Sequence, residues 1–260
     1  MIEEPPRRLI TTLYGLYARE ENWLSVAALV RLMADLGVEA AAVRSSVSRL
    51  KKRGVLVAAK RDSRAGYALS DDAVEVLRDG DSRIWSPPRA SVDDGWLVVV
   101  FSVPESEREK RHLLRTTLSS LGFGSAAPGV WVAPATSTDE AVSALTRREL
   151  IGYTEFFRGD YLLADVTARV AEWWDLPAVA AQYDAFVEAF SDASVSSDEE
   201  AFAAYVPLLT AWRRLPYLDP GLPLSLLPPD WSGVTAEKLF ASLDATLRAP
   251  AARHAHTLLR

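Results

Sequence analysis

In the stretch "VRSSVSRLKKRGV", residues 43–55, five cations and three serines surround a thin line of apolar residues. At about 100° per residue, Val43, Val47 and Leu50 gather on one side of a helix, while Arg44, Ser45, Ser48, Arg49 and Lys52 project from the other. Short hydroxyls among long cations suit a helix pressed into a DNA groove. Serines let the backbone approach, and arginines reach guanine edges or phosphates. A second basic group, Lys60, Arg61 and Arg64, follows on two extended runs, "VLVAAK" and "GYALS", joined by the polar turn "RDSRA". A charge run alone usually marks a solvated face, so the surrounding elements must decide.

Those elements have a definite order. The segment "RRLITTLYGLYARE" puts Leu9, Leu13, Leu16 and Tyr17 on one helical face, with Pro6 suited to its first turn. Ser25 caps a second helix, "VAALVRLMADLG", which Gly37 ends; a third runs from about Glu39 to Arg53, and Gly54 closes it. Three helices followed by a basic hairpin is the order of a winged helix-turn-helix. There the third helix enters the major groove and the wing reaches an adjacent backbone or minor groove. Arg7 and Arg8 offer either further phosphate contacts or a solvated helix start. Ser70 caps one more helix, "DDAVEVLRDGDSRIW", and "SPPRASVDDG" reads as a linker, so a DNA-binding domain is expected over residues 1–90.

Charge supports that placement. Residues 1–85 hold 14 Lys+Arg against 12 Asp+Glu and the remainder 15 against 23, within a chain of net charge −6. There is no cysteine, which excludes disulfides, zinc-thiolate sites and thiol catalysis. His112, His254 and His256 are too scattered for a metal cluster. With no signal-peptide pattern and no apolar run near the ~20 residues that span a bilayer, a soluble cytoplasmic protein without a membrane partner is expected.

After the linker, "WLVVVFSVP" has the length and β-branching of a buried strand. An amphipathic helix "ESEREKRHLLRTTLSSLG", two strands around Pro128-Gly129, a helix "TDEAVSALTRREL" and a strand in "GYTEFFRGDYLLA" follow. That β-α-β-β-α-β order predicts a ferredoxin-like domain over residues 91–168, and a helical C-terminal domain is expected over 169–260. The fold class is therefore α+β and multidomain. Trp173, Trp174, Trp212 and Trp231 read as core or domain-interface residues. Arg213 and Arg214 read as ties to the following Pro-rich loop, although arginine forks also match phosphate oxygens. "LGFGSAAPG" lacks the Lys-Ser/Thr of a phosphate loop, and no nucleophile elbow or triad spacing occurs. No catalytic residue, metal ligand or cofactor is expected.

At this point the chain resembles the PaaX-type transcriptional repressors over nearly its whole length. The resemblance rests on "VRSSVSRLKKRGVL" with "GYALS", on "WLVVVFSVPE", on "LGFGSAAPGVWVAP" and on "WRRLPYLDPGLPLSLLPPDWSG". It implies a winged-helix domain, a ferredoxin-like middle domain, a helical C-terminal domain, and a homodimer that leaves a double-stranded operator when an aryl-CoA thioester binds. The effector itself is not legible in any motif. Its site is expected outside residues 1–85, in the helical C-terminal region or at its junction with the ferredoxin-like domain, because a small winged-helix core has little room for a large ligand.

The middle domain also resembles small CRISPR-associated endoribonucleases, which makes a metal-dependent nuclease the alternative reading. Such proteins carry an aspartate near the end of the first strand, and here Ser102 stands there, a poor ligand for a hard divalent cation. Glu105 is close by and better suited to starting the next helix. A DNA-binding regulator rather than an enzyme is the expectation.

Overall fold

The computed structural model describes residues 4–163 and 165–259. Two compact units share the chain: one draws on 1–81, 185–213 and 235–260, the other on 82–184 and 214–234.

The first unit opens with α1 (Pro6–Tyr17), β1 (Leu24–Ser25), α2 (Val26–Ala34) and α3 (Ala40–Lys52), followed by β2 (Leu56–Arg61) and β3 (Arg64–Leu69). Pro6 sits in the first turn of α1, where a missing N–H costs nothing. The Ser25 hydroxyl accepts the Ala28 N–H at 3.0 Å and so starts α2. After α2 the chain turns through Gly37 at φ 75°, a conformation open to glycine without strain. The three strands form an antiparallel sheet in the order β1-β3-β2. Ser70 then accepts the Ala73 N–H at 3.3 Å at the head of α4 (Asp71–Trp85), whose residues through Asp81 belong to this unit.

Ile10, Leu13, Leu29, Leu32 and Met33 are fully buried in this unit. Packed with them is α9 (Asp198–Trp212), which buries Phe202, Tyr205, Val206, Leu208 and Trp212 and is apolar on nearly every side beyond its first turn. A helix of that kind needs neighbours all round it. α1 packs along it, with the hydroxyls of Thr12 and Thr210 hydrogen-bonded at 2.8 Å. Phe240 of α11 (Ser232–Leu259) stacks on Trp212 with ring centroids 4.5 Å apart. Phe186, near the end of α8 (Leu176–Phe190), meets the same indole at 5.6 Å.

The second unit contains β4 (Trp96–Phe101), α5 (Arg108–Ser120), β5 (Gly124–Ala127), β6 (Val130–Pro134), α6 (Thr138–Arg147) and β7 (Thr154–Gly159). Its sheet runs β5-β6-β4-β7 with every neighbouring pair antiparallel, the expected ferredoxin-like arrangement. Leu97, Val99 and Phe101 alternate along β4 into a core shared with Leu114 and Leu118 of α5 and Leu145 of α6.

Helical segments complete this unit: α7 (Val166–Trp173), the first part of α8, and α10 (Leu215–Leu218). The buried Trp174 donates its indole N–H to the Gly122 carbonyl at 2.8 Å. Buried Asp219 accepts from Tyr183 Oη at 3.1 Å, Trp231 Nε1 at 3.0 Å and the Gly221 N–H at 2.8 Å, and pairs with Arg89 at 3.3 Å. Trp174, Trp212 and Trp231 are thus core residues, and Trp173 lies edge-on to Trp96. Among the described residues no helix is long and apolar enough to cross a membrane.

Candidate nucleic-acid interface

Helix α3 has two sharply different sides. Val43, Ser46, Val47 and Leu50 are buried, and the helix packs on α1, α2 and β2. Arg44, Ser45, Ser48, Arg49 and Lys52 are all exposed, along an arc of roughly 140° opposite the buried line. The three serines divide accordingly: Ser45 and Ser48 face out, while Ser46 helps the helix seat. Arg49, Lys51 and Lys52 occupy the last turn, where cations favour the negative end of the helix dipole. Among the described residues, the side chains of Arg44, Arg49 and Lys52 form no internal hydrogen bond or ion pair. Their charge is available to a partner.

The hairpin that follows turns as tightly as a two-residue connection allows. Arg61 pairs with Arg64, and the intervening Asp62 and Ser63 both lie in the left-handed region, at φ 46° and 64°. Both residues at positive φ make this a primed turn, whose twist matches that of the flanking strands. Lys60, Arg61 and Arg64 are exposed at its tip. Lys60 has no internal partner among the described residues. Arg61 does: it pairs with Glu21 at 3.6 Å and donates to the Glu21 carbonyl. The guanidiniums of Arg61 and Arg64 also each lie 5.8 Å from the centre of the Trp23 ring.

Two residues that sequence reasoning passed over build this part of the site. Trp23 is buried to 9% exposure beneath the hairpin, and its indole N–H reaches the Ala59 carbonyl at 3.4 Å. Gly66 of β3 leaves room for it: a Cβ there would meet the Leu24 carbonyl oxygen at 2.3 Å and the Trp23 indole at 2.5 Å. The signals were faint, a lone Trp in the polar "ENWLS" and a Gly inside the strand "GYALS". The hairpin is also tied to the helices, because the Tyr14 hydroxyl donates to the Tyr67 carbonyl at 2.8 Å. Burial pushes that hydroxyl's pKa well above the ordinary tyrosine range, so it stays a donor.

The other candidates fall as follows. Arg7 is exposed, and Arg8 pairs with Glu4 at 3.4 Å. Arg213, half-buried, reaches the Arg8 carbonyl at 3.4 Å, while Arg214 is exposed in the other unit. Ser102, just after β4, has its N–H on the Tyr153 carbonyl at 3.1 Å, and Glu105 pairs with Arg111 at 3.0 Å. Among the described residues no three His, Cys, Asp or Glu side chains gather as a metal site would require.

Three consecutive family models match the chain: "PaaX-like protein" over residues 6–73, "PaaX protein central Cas2-like domain" over 89–171, and "PaaX-like protein C-terminal domain" over 174–257. The chain is similar to the transcriptional repressor PaaX of Escherichia coli (strain K12). The two are 29% identical over 249 residues, which cover 89% of this chain and 77% of that protein. Its fold is similar to that of the uncharacterized protein Rv0674 from Mycobacterium tuberculosis, with a TM-score of 0.60 at 22% identity, covering 94% and 96% of the two chains.

Proposed function

This chain belongs to the PaaX-type regulator family, and from that premise we propose that it is a DNA-binding transcriptional repressor. We read residues 1–90 as a winged helix-turn-helix, with α3 as its groove-reading helix and β2–β3 as its wing. Residues 91–168 form the ferredoxin-like domain and 169–260 the helical one. The observation that carries the reading is the two-sided α3: a buried apolar seam, and opposite it Arg44, Ser45, Ser48, Arg49 and Lys52 exposed, its arginines without internal partners. Lys60, Arg61 and Arg64 supply the wing's phosphate contacts. The working form is a cytoplasmic homodimer that a small effector, such as an aryl-CoA thioester, releases from a double-stranded operator.

The test is fluorescence anisotropy with duplexes tiled across the DNA upstream of its own gene and its neighbours, each against a shuffled duplex, over a salt series. A regulator prefers one tile by about 10³-fold or more at physiological salt. Equal affinity for every tile and its shuffled control would refute sequence-specific recognition.

A further inference from the structure

A cavity of about 300 Å³ opens within the second unit, where one end of the four-stranded sheet meets the loop after α10. Two aromatic side chains line it, Trp96 at the start of β4 and Tyr161 just after β7. Both are half-buried. Trp173 of α7 packs edge-on against each of them, with ring centroids 5.7 Å apart in both pairs. Leu222 and Leu226 of the loop extend the apolar wall, and Leu163, 69% exposed, is its open side. The charge in the lining is of one sign: Asp160 and Asp165 are its carboxylates, and no Lys, Arg or His is among its described residues. Gly95, at φ 74°, passes close beneath Asp160, since a Cβ there would lie 3.4 Å from the Asp160 Oδ1. Asp165 accepts the Ala168 N–H at 3.0 Å, which starts α7. Among the described residues neither carboxylate has an ion-pair partner. A cavity of this size, apolar and aromatic with a few convergent charged groups, is the usual form of a small-molecule site.

We propose that this cavity binds an organic cation, an ammonium group carried on a compact apolar body. A ring of Trp or Tyr attracts an ammonium through its quadrupole, and the attraction is strongest where water is thinned. Two unpaired carboxylates add a negative field, and the leucine wall removes the apolar body from water. A bare metal ion would use Asp160 and Asp165 but has nothing to place against Leu222 and Leu226. A neutral apolar molecule would use the walls and gain nothing from the carboxylates. Only a ligand with both parts uses the whole lining. The cavity draws on residues of the ferredoxin-like domain and of the C-terminal region, the junction where the sequence suggests an acyl-CoA site. Its charge is the reverse of what such a polyanion needs: a phosphate or carboxylate here would face two aspartates and no cation in the described lining. The inference concerns binding alone and does not depend on the repressor reading.

The test is isothermal titration of the full-length protein with benzyltrimethylammonium. Tetramethylammonium, benzyl alcohol and phenyl phosphate serve as charge-only, apolar-only and opposite-charge probes. One equivalent of benzyltrimethylammonium binds, and each of the other three binds at least tenfold more weakly. Asp160→Asn combined with Asp165→Asn weakens binding at least tenfold. Asparagine keeps the cap acceptor of α7 and tolerates the left-handed φ of 65° at residue 165, so the double change removes charge and leaves the backbone alone. Leu163→Arg, which sets a like charge in the lining at an exposed position, has the same effect. A circular dichroism melt checks that both variants fold. Absence of binding, binding indifferent to both variants, or equal or tighter binding of any of the three control probes would overturn the proposal. No DNA enters the titration, so its failure leaves the repressor reading standing. Failure of the duplex measurement leaves the cavity standing.

Discussion

Gly66→Ala isolates the brace beneath the wing. The added Cβ would lie 2.3 Å from the Leu24 carbonyl oxygen and 2.5 Å from the Trp23 indole, far inside ordinary contact. The carbonyl belongs to β1, which meets β3 at only two positions, Leu24↔Tyr67 and Ser25↔Gly66. Relieving the clash therefore means pulling β1 off the sheet. Overpacking costs about 1–3 kcal/mol and each lost ladder hydrogen bond about 1 kcal/mol more, so the variant should lose about 2–4 kcal/mol. Gly15→Ala supplies the control. It lies in α1 of the same unit with nothing within 4 Å of the new methyl, so it should gain about 0.5–1 kcal/mol from helix propensity. Urea titration followed by circular dichroism gives both values on the transition of this unit. Hydrogen exchange at the Tyr67 and Ala68 amides localises the loss to β3. A Gly66→Ala midpoint equal to wild type would refute the reasoning that Trp23 and β1 are locked by the absence of a side chain at residue 66.

Arg44→Ala and Arg49→Ala should each weaken specific duplex binding while leaving the urea midpoint unchanged, since neither touches the buried seam of α3. A lost base contact costs about 1–3 kcal/mol, whereas a lost phosphate contact lowers the salt slope by about one. The triple change of Lys60, Arg61 and Arg64 to Ala should weaken specific and shuffled duplexes in parallel; unchanged affinity for both would remove the hairpin from the interface. Ser63→Gly, at φ 64°, should stabilise the hairpin by about 0.5–1 kcal/mol by removing left-handed strain, read as a higher thermal midpoint. Asp219→Ala removes the acceptor that the buried Tyr183 and Trp231 share and the ion-pair partner of half-buried Arg89, and should cost the second unit about 3–5 kcal/mol in urea, with Asp219→Asn costing less.

Residues 39–70 show how far local pattern reaches. A helix reports its own buried and exposed sides every 3.6 residues, so the split of α3 into Val43/Val47/Leu50 and Arg44/Ser48/Lys52 was legible without any tertiary contact. The hairpin was legible for a similar reason, its polar turn lying between two β-branched or aromatic runs. The same holds for the β-α-β-β-α-β order of residues 96–159, where each element carries its own period and its own stops. What only the tertiary structure decided depends on residues far apart in the chain, which no local period encodes. Thr12 meets Thr210 across 198 positions, and so α9 joins the unit that holds α3. Asp219 gathers donors from residues 89, 183, 221 and 231, a convergence that no spacing rule anticipates. Arg61 looked as free as Lys60 in sequence, yet it leans on Trp23 and Glu21 some 40 residues earlier. A cleft of about 600 Å³ behind the end of α3, lined by Arg7, Arg8, Arg53 and Arg213, is the extreme case. Arg7, Arg53 and Arg213 come from the ends of three separate helices, and only their packing makes one positive, apolar-walled cavity of them.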